Sequence, residues 1–321
     1  MRVAVLSGGR SSEHDVSLRS GASVRRGLRE AGHGTVDVRI ERSGEWRRDG
    51  EPVDLVPGGG LLGADAVFPA LHGAFGEDGA IQGLLESLDV PYVGSDVLAS
   101  AICMDKLSLK RLFAQQGIPQ VEFAAVGEAG WRERCAELGL PLWVKPSRMG
   151  SSVGITRVGS LEELDAAVEL ALRHDPRVIV EASATGREVE CSVLGNEDPR
   201  TSFPGEVVAK SGWYDFESKY GDDGMELLVP APITAPQEDR VRELAATIFS
   251  LAGCSGLARC DFFVEPGGEV LVNEINTMPG FTETSVYAKL LEAGGLAYPD
   301  LCDRLVALAI ERHQRARSYE F

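Results

Sequence analysis

Two apolar segments in the C-terminal third of the chain are joined by a very short turn, and this pair limits the possible folds more than any other feature. Residues 257–264 and 269–275 flank Pro266-Gly267-Gly268, which is typical of two antiparallel strands connected by a tight turn. Alternate residues of a strand point to the same face. One face of the predicted hairpin therefore carries four polar side chains: Arg259, Asp261, Glu274 and Asn276.

The two carboxylates and the amide on this face have the chemistry of a metal site. Carboxylate and amide oxygens are hard ligands that suit Mg²⁺ beside phosphate groups. Burying Asp261 and Glu274 without a cation would cost several kcal/mol. The alternative is a surface salt bridge between Arg259 and one carboxylate, but the apolar residues that flank these positions favour a buried setting.

Two lysines and a glycine-rich loop further upstream supply groups that bind phosphate. Lys106 is expected at the start of a helix, and Lys145 ends a short apolar strand. In residues 150–154 small side chains let backbone N–H groups approach phosphate oxygens, while Ser151 and Ser152 add hydroxyl donors. The loop has neither the Walker A nor the Rossmann spacing, and an ordinary glycine turn is the alternative.

The order of predicted elements indicates three regions. Strands and helices alternate over residues 1–101, which predicts a parallel α/β domain. Residues 102–186 combine short strands with helices around the glycine-rich loop, which predicts a small α+β domain. Longer strands follow in residues 187–321 and predict a third domain.

Three local predictions complete this description of the chain. Ser160-Leu161-Glu162-Glu163 has the pattern of a capping box and predicts a helix to about His174. Residues 201–210 predict one continuous strand. The polar, aromatic stretch 211–224 is too long for a hairpin turn, and we expect a mobile functional loop there.

Composition narrows the class of protein. The 321 residues carry a net charge of −17, which disfavours nucleic acid and anionic membrane as partners because such binding needs a basic face. Membrane spans need roughly 18 consecutive apolar residues, and the N-terminal apolar run is too short even for a signal peptide, so we expect a cytoplasmic protein. The six cysteines form no C-x-x-C pair and are expected to be buried, reduced thiols.

Taken in order, these motifs resemble the D-alanine–D-alanine ligase family of the ATP-grasp superfamily. The matching segments span nearly the whole chain: residues 8–17, His72-Gly73, Gly76-Glu77-Asp78-Gly79, residues 92–95, Met104-Asp105-Lys106, residues 144–154, Glu217-Ser218-Lys219-Tyr220, Arg259-Cys260-Asp261 and residues 273–280.

The resemblance implies a three-domain ATP-grasp architecture of α/β and α+β type, with an N-terminal parallel α/β domain and nucleotide bound between the central and C-terminal domains. It implies that ATP phosphorylates the carboxylate of one D-alanine and that the amine of a second D-alanine attacks the acyl phosphate. The dipeptide would serve peptidoglycan precursor synthesis. The resemblance further implies two Mg²⁺ ions, with Mn²⁺ as a substitute, and a homodimer.

The resemblance also implies roles for individual residues. The metal ligands would be Asp261, Glu274 and Asn276. The ATP-binding residues would be Lys106, Lys145, Ser151, Ser152, Glu181 and Glu188. Glu13, with His72 nearby, would bind the first D-alanine, and Lys219 with Ser285 would bind the carboxylate of the second. Arg259 and the backbone N–H of Gly280 would polarise the reacting carbonyl, and a hydrogen-bonded set would close the 211–224 loop: Glu13, Ser151 and Tyr220.

Two positions depart from the family pattern and one pair bears on substrate choice. Ala182 stands where many relatives have a lysine near the adenine, and Cys260 is expected to be a neutral residue that packs inward. Lys219-Tyr220 is absent from related depsipeptide ligases, so its presence favours an amine nucleophile over D-lactate. Two alternatives remain: a ligase for other D-amino acids, and a non-catalytic nucleotide-binding protein. The second alternative predicts that one or more of the metal ligands are missing from the sequence.

Overall fold

The computed structural model describes residues 1–209 and 225–320. The N-terminal region forms the first β-sheet. The strands of this sheet are β1 (Arg2–Gly8), β2 (Gly34–Ile40), β3 (Trp46–Arg48), β4 (Glu51–Pro52) and β5 (Ala66–Pro69), in the spatial order β4-β3-β2-β1-β5. β1 pairs in parallel with β2 and β5, which confirms the predicted parallel α/β arrangement. The antiparallel edge strands β3 and β4 are additions that their short, polar sequences did not reveal.

Three helices accompany this sheet: α1 (His14–Glu30), α2 (Ala80–Leu88) and α3 (Val97–Met104). The buried face of α1 contains Val24 and Leu28, which are four residues apart and therefore adjacent on the helix. Asp96 begins α3 by accepting a hydrogen bond from the backbone N–H of Ala99 (2.9 Å). Because α1 starts directly after Glu13, that carboxylate lies beyond the C-terminal end of β1, where ligands of parallel sheets usually bind.

The second sheet is antiparallel and belongs to the central region. Its strands are β6 (Phe123–Ala125), β7 (Leu142–Pro146), β8 (Thr156–Val158) and β9 (Val178–Ala182), in the order β6-β9-β7-β8. Its helices are α4 (Lys106–Gln115), α5 (Trp131–Leu138) and α6 (Leu164–Leu172). One face of the sheet packs on α5 and α6 around Leu142, Val144 and Val180. On the opposite face, Leu107 of α4 packs against Ala125 and Ile179, and the remainder of that face borders the site.

Within the described ranges the third sheet has six strands, and it contains the predicted hairpin. Its strands are β10 (Arg187–Gly195), β11 (Arg200–Thr201), β12 (Gly205–Ala209), β13 (Met225–Leu228), β14 (Gly256–Val264) and β15 (Val270–Asn276), in the order β13-β12-β10-β14-β15 with β11 beside β10. Its helices are α7 (Ala235–Leu251), α8 (Val286–Ala293) and α9 (Tyr298–Ala316). The turn between β14 and β15 is closed by a hydrogen bond from the N–H of Gly268 to the carbonyl of Glu265 (2.9 Å).

Two local predictions are wrong. The capping box does not form, because the Glu163 carboxylate accepts from the N–H of Gly159 (2.9 Å) and Ser160 makes no capping hydrogen bond. A 3₁₀ turn comes first, and the α-helix begins only at Leu164. The single strand predicted over 201–210 is divided into β11 and β12, since Pro204 has no N–H to continue a ladder; Lys210 lies outside the described residues.

The C-terminal helix α9 packs on the N-terminal region. Leu301 and Leu305 of α9 share one apolar core with Val3 and Val5 of β1 and with Val24 of α1. The domain boundaries at residues 101 and 186 stay predictions. Over the ranges 1–209 and 225–320, no helix combines the length and apolar composition needed to cross a membrane.

Candidate active site

A cavity of about 1680 Å³ is lined by residues from all three sheet regions. Most of the predicted site residues line it: Glu13, His72, Lys106, Lys145, Ser151, Ser152, Glu181, Glu188, Arg259, Glu274, Asn276, Gly280 and Ser285. Asp261 lies just behind this surface, in contact with Arg259. Lys219 and Tyr220, with the rest of the predicted 211–224 loop, lie outside the described residues.

The β14–β15 hairpin supplies one wall of the cavity in the predicted register. Arg259 pairs with Asn276, and Asp261 pairs with Glu274. The register then shifts at a β-bulge, where Asn273 is the extra residue. The four polar side chains therefore share one face, because residues directly opposite each other in an antiparallel pair point the same way.

Arg259 holds two carboxylates that come from neighbouring strands. Its Nε and Nη2 donate to Oδ1 and Oδ2 of Asp261 (2.8 and 2.7 Å), and its Nε lies 2.9 Å from Oε2 of Glu190 on β10. Asn276 Nδ2 also donates to Asp261 (3.0 Å). The Glu190 side chain is 6% exposed and that of Asp261 12%, so this is a buried, bidentate ion pair and not a surface salt bridge.

The oxygen donors of the hairpin fit a Mg²⁺ ion. Within the two described ranges no three His, Cys, Asp or Glu side chains gather as a ready metal cage; the hairpin offers two carboxylates and one amide. Mg²⁺ suits such a set, because it is usually held by one or two carboxylates while substrate phosphates and water complete its shell. Lys106 Nζ lies 3.6 Å from Glu274 Oε2, so a lysine ammonium group adjoins the oxygen donors of the hairpin.

Lys106 is positioned by contacts between the start of α4 and the end of β7. Asp105 caps α4 by accepting from the N–H of Ser108 (3.0 Å), and it also accepts from the hydroxyl of Ser147 (2.7 Å). The N–H of Lys106 donates to the carbonyl of Ser147 (2.9 Å). With its backbone tied down, Lys106 extends Nζ to the carbonyl of Met149 (2.9 Å), next to the glycine-rich loop.

The glycine-rich loop has an unusual backbone. Ser151 and Ser152 have φ angles of 51° and 61°, which non-glycine residues rarely adopt and which often mark functional loops. The loop is anchored at its base by Asp175, which accepts from the N–H and Nη2 of Arg148 (both 2.7 Å). Burial acts to raise the pKa of Asp175, but these hydrogen bonds and that from the Arg177 N–H outweigh it, so the pKa is lowered.

A buried carboxylate between two lysines forms the wall on the central sheet. Glu181 lies opposite Trp143 on β7 and Phe123 on β6, so these three side chains share a face. Glu181 pairs with Lys145 Nζ (2.5 Å) and with Lys110 Nζ of α4 (2.9 Å). Burial opposes ionisation, but the two lysines prevail and lower the pKa of Glu181 to about 2. Glu188 is exposed at the start of β10.

Glu13 of the N-terminal region contacts Ser151 of the central region. The Ser151 hydroxyl donates to Oε1 of Glu13 (2.5 Å), which brings together two members of the predicted hydrogen-bonded set. The third member, Tyr220, is not described. Glu13 is buried although it belongs to no helix or strand, and this contact therefore couples the glycine-rich loop to the end of the cavity that the N-terminal sheet provides.

His72 is engaged on both ring nitrogens. Nδ1 lies 3.0 Å from the carbonyl of Met278, and Nε2 lies 2.8 Å from the hydroxyl of Ser20. Burial lowers the pKa of His72 against the opposing effect of Glu13. A neutral ring that donates from Nδ1 and accepts at Nε2 satisfies both contacts. His72 thus braces the wall beside Glu13.

Gly280 and Ser285 come together after β15, in the segment whose Met278 and Phe281 contact His72 and Ser20. A Cβ on Gly280 would lie 3.4 Å from Oγ of Ser285. The Ser285 hydroxyl oxygen accepts from the N–H of Thr282 (2.9 Å). Among the described residues the N–H of Gly280 has no hydrogen-bond partner, as an anion-binding donor requires.

Three charged residues in or beside the cavity were not predicted as site residues: Glu77, which is half-buried, and the buried Lys110 and Glu190. Glu77 accepts from the N–H groups of Gly73 (2.6 Å) and Met278 (3.3 Å). Burial and the neighbouring Glu13 raise the pKa of Glu77 to about 8. Its only sequence signal was its place in the Gly76–Gly79 motif, while Lys110 and Glu190 gave none.

The three sheets around a cavity lined by lysines and an oxygen-donor hairpin agree with the ATP-grasp ligase class of protein. Family models agree: "D-ala D-ala ligase N-terminus" matches residues 2–57 and 56–95, and "D-ala D-ala ligase C-terminus" matches residues 112–307. The chain belongs to the D-alanine–D-alanine ligase family.

Individual relatives extend over the full chain. A D-alanine–D-alanine ligase of Deinococcus radiodurans is 46% identical over 334 residues, covering 97% of this chain and 98% of its own. The solved D-alanine–D-alanine ligase of Coxiella burnetii superposes with a TM-score of 0.89 at 36% identity, over 99% and 96% of the two chains. The VanG D-Ala:D-Ser ligase of Enterococcus faecalis superposes with a TM-score of 0.87 at 38% identity, over 96% and 99%.

Proposed function

We propose that the chain joins two D-alanine molecules to D-alanyl-D-alanine while ATP is converted to ADP and phosphate, as a step of peptidoglycan precursor synthesis. The observation that carries the proposal is the meeting of three groups in one cavity: cations for phosphate, oxygen donors for a metal, and the Glu13–Ser151 pair. The first carboxylate is phosphorylated to D-alanyl phosphate, and the amine of the second D-alanine then displaces phosphate.

The main physical difficulty of this reaction is the repulsion between phosphate and carboxylate. Lys106 and Lys145 supply positive charge near the phosphates, and the backbone and hydroxyls of Ser151 and Ser152 supply donors from the loop. Such fixed groups stabilise developing charge without having to reorganise. Lys106 contacts Met149 and Lys145 contacts Glu181, so both are already oriented.

We infer that Asp261, Glu274 and Asn276 hold the metal. Bound Mg²⁺, as two ions and with Mn²⁺ as a substitute, would neutralise phosphate charge there. Glu181 and Glu188 are proposed to bind the adenosine from the central and third sheets. All three proposed metal ligands are intact, which disfavours the alternative of a non-catalytic nucleotide-binding protein.

The two amino acids are proposed to bind at the N-terminal end of the cavity and beside β15. Glu13 would pair with the ammonium of the first D-alanine, with the neutral His72 holding the wall behind it. Arg259 and the N–H of Gly280 would polarise the reacting carbonyl. Ser285 would bind the carboxylate of the second D-alanine. The corresponding roles of Lys219 and Tyr220, and closure of the 211–224 loop, stay predictions.

A homodimer and a cytoplasmic location complete the proposal. ATP and the two D-alanines would be the partners, and with a net charge of −17 nucleic acid and anionic membrane are not expected to bind. Light scattering on the purified protein tests the assembly: a mass of twice 34.4 kDa supports the dimer, and the single mass rejects it.

A second candidate nucleophile is D-serine, because the VanG D-Ala:D-Ser ligase superposes on this chain with a TM-score of 0.87, near the 0.89 of the Coxiella burnetii D-alanine–D-alanine ligase. Phosphate release with ATP and Mg²⁺ separates the possibilities when D-alanine is tested alone and together with D-serine or D-lactate, with the products identified by mass. We expect the highest kcat/KM with D-alanine alone. Turnover only with another nucleophile would reject D-alanyl-D-alanine as the product.

A further inference from the structure

Lys110 is a buried cation that the residue roles proposed above do not use. It lies in the middle of α4, its side chain is 2% exposed, and it does not line the cavity. Its Nζ contacts Glu181 Oε1 (2.9 Å) and donates to the carbonyl of Val121 (3.2 Å), and it lies 5.9 Å from the centre of the Phe123 ring. Burying an ammonium group this completely is costly unless it is paired. This cost explains why Lys110 is paired with Glu181, but it does not explain why a lysine is buried there.

The two lysines that hold Glu181 differ in access. Lys145 lines the cavity and its side chain is 15% exposed, whereas Lys110 is enclosed between α4 and the same face of the sheet, is 2% exposed and does not line the cavity. A nucleotide in the cavity can therefore be contacted by Lys145 and not by Lys110. When Lys145 turns from Glu181 toward a phosphate oxygen, Lys110 is the cation that stays with the carboxylate.

We propose that Lys110 is a positioning residue for nucleotide binding, which keeps Glu181 neutralised and fixed so that Lys145 can leave it for the phosphates. This inference rests on the proposed function only in requiring that a nucleoside triphosphate binds in the cavity. It does not depend on the identity of the amino acid substrates or on a contact between Glu181 and the base.

Glu181 needs a permanent counter-ion because of its position in the sheet. Its backbone is paired on both sides, with Phe123 and with Trp143, so the carboxylate cannot move out to water. Without Lys110, each departure of Lys145 would leave this buried carboxylate unpaired, which is strongly unfavourable. Glu181 would then retain Lys145 and compete with the phosphates for it.

A purely structural role for Lys110 makes a different prediction. A salt bridge that only joins α4 to β9 would affect the midpoint of thermal unfolding, and the folded protein would bind nucleotide normally. Burial lowers the pKa of Lys110, while the pKa of Lys145 is raised by Glu181 against burial. This difference agrees with a more strongly held proton on Lys145, the residue that is to meet phosphate.

The test compares Lys110→Met with the matched control Lys289→Met, which removes a lysine from a surface pair with Glu292 on α8. Binding of Mg²⁺-tripolyphosphate, which has no base, is measured by calorimetry, and KM is measured for ATP and for D-alanine. For Lys110→Met we expect Kd for tripolyphosphate and KM for ATP to rise roughly 10- to 100-fold. KM for D-alanine and kcat should change less than threefold, and the control should match the wild type.

The double variant Lys110→Met/Glu181→Gln gives the decisive comparison. Without charge on Glu181, Lys145 is free to meet phosphate, so tripolyphosphate should bind more tightly than to Lys110→Met and close to wild-type strength. A structural salt bridge predicts no such recovery. If Lys110→Met fails to fold, Lys110→Gln keeps a donor toward Glu181 and removes only the charge, and the same rise in Kd is expected.

Two results overturn the inference: unchanged tripolyphosphate binding in a folded Lys110 variant, or a double variant that binds no better than the single one. Failure of the proposed ligase activity looks different, since the wild type would then bind tripolyphosphate and ATP but release no phosphate with D-alanine. A changed ATP affinity with unchanged tripolyphosphate binding would assign Lys110 to the adenosine end and would reject its role in freeing Lys145.

Discussion

Replacing Arg259 by methionine tests whether the guanidinium is the counter-ion of the buried carboxylates beside the hairpin. Arg259 contacts Asp261 through two hydrogen bonds and Glu190 through a third contact at 2.9 Å. Methionine fills much of the space of the arginine stem but has no charge. Removing one partner of a buried ion pair costs about 3–5 kcal/mol, and we expect a loss of that size in the free energy of unfolding at pH 8.

The loss should depend on pH with a defined sign. Without the guanidinium, burial and mutual repulsion raise the pKa values of Asp261 and Glu190 in the folded variant above those of the unfolded chain. Groups of this kind contribute stability that is present below the unfolded pKa and is lost as the pH rises through the folded pKa. The deficit of Arg259→Met relative to the wild type should therefore be small near pH 4 and largest near pH 8.

Urea unfolding at pH 4, 6 and 8, with and without Mg²⁺, measures this deficit, and Mg²⁺ should return part of it at pH 8 by supplying the missing positive charge. If Arg259 also polarises the reacting carbonyl, kcat should fall about 10²- to 10³-fold, as for the loss of one oxyanion donor. Arg240→Met is the control, because its surface pair with Glu243 is expected to contribute less than ~1 kcal/mol. A deficit that is independent of pH, or equal to that of the control, would refute the reasoning.

Four further outcomes are expected. Glu274→Ala should abolish phosphate release with the circular dichroism spectrum unchanged, and an unaltered kcat would remove Glu274 from the metal site. Ser151→Ala loses the hydrogen bond to Glu13 (2.5 Å), and kcat/KM for D-alanine should fall roughly 10- to 100-fold in the phosphate assay, as for 1.5–3 kcal/mol lost with a charged hydrogen bond. Asp175→Ala frees Arg148 and should raise KM for ATP. Because the pKa of Asp175 is lowered, the stability that Asp175 contributes in urea titrations should be present at pH 7 and lost toward pH 3. A variant that loses equal stability at both pH values would contradict this. The six thiols are free and buried, so a disulfide reagent should titrate them only after unfolding, and rapid labelling of the native protein would contradict that burial.

The hairpin could be predicted because its determinants are local in sequence. Strand alternation and a short glycine turn set both the facing side chains and their register, and the observed pairs Arg259–Asn276 and Asp261–Glu274 follow from them. The bulge at Asn273 was not predictable in the same way, since the alternation of side chains does not mark an extra residue in β15. Cys260 packs inward as expected and is fully buried.

The partners of the site residues could not be predicted from local patterns. Lys110 follows Lys106 by one helical turn and has the sequence appearance of a solvent-exposed helix residue, yet it is buried because β9 places Glu181 beneath it. Glu190 reaches Arg259 only because β10 pairs with β14. Both contacts join residues some 70 positions apart, and no periodicity in one sequence encodes such a pairing.

The charges of the cavity explain how so acidic a chain can bind a polyanion. Three lysine and arginine side chains of the described cavity wall are paired with a carboxylate: Lys106 with Glu274, Lys145 with Glu181 and Arg259 with Asp261. A phosphate that contacts one of these three draws it away from its carboxylate, which is unfavourable unless another positive charge replaces it. For Glu181 that charge is already present in Lys110, whereas Glu274 and Asp261 would receive it from Mg²⁺ that arrives with the nucleotide. We therefore expect the site to bind the Mg²⁺ complex of ATP more tightly than free ATP, although the net charge of the chain is −17.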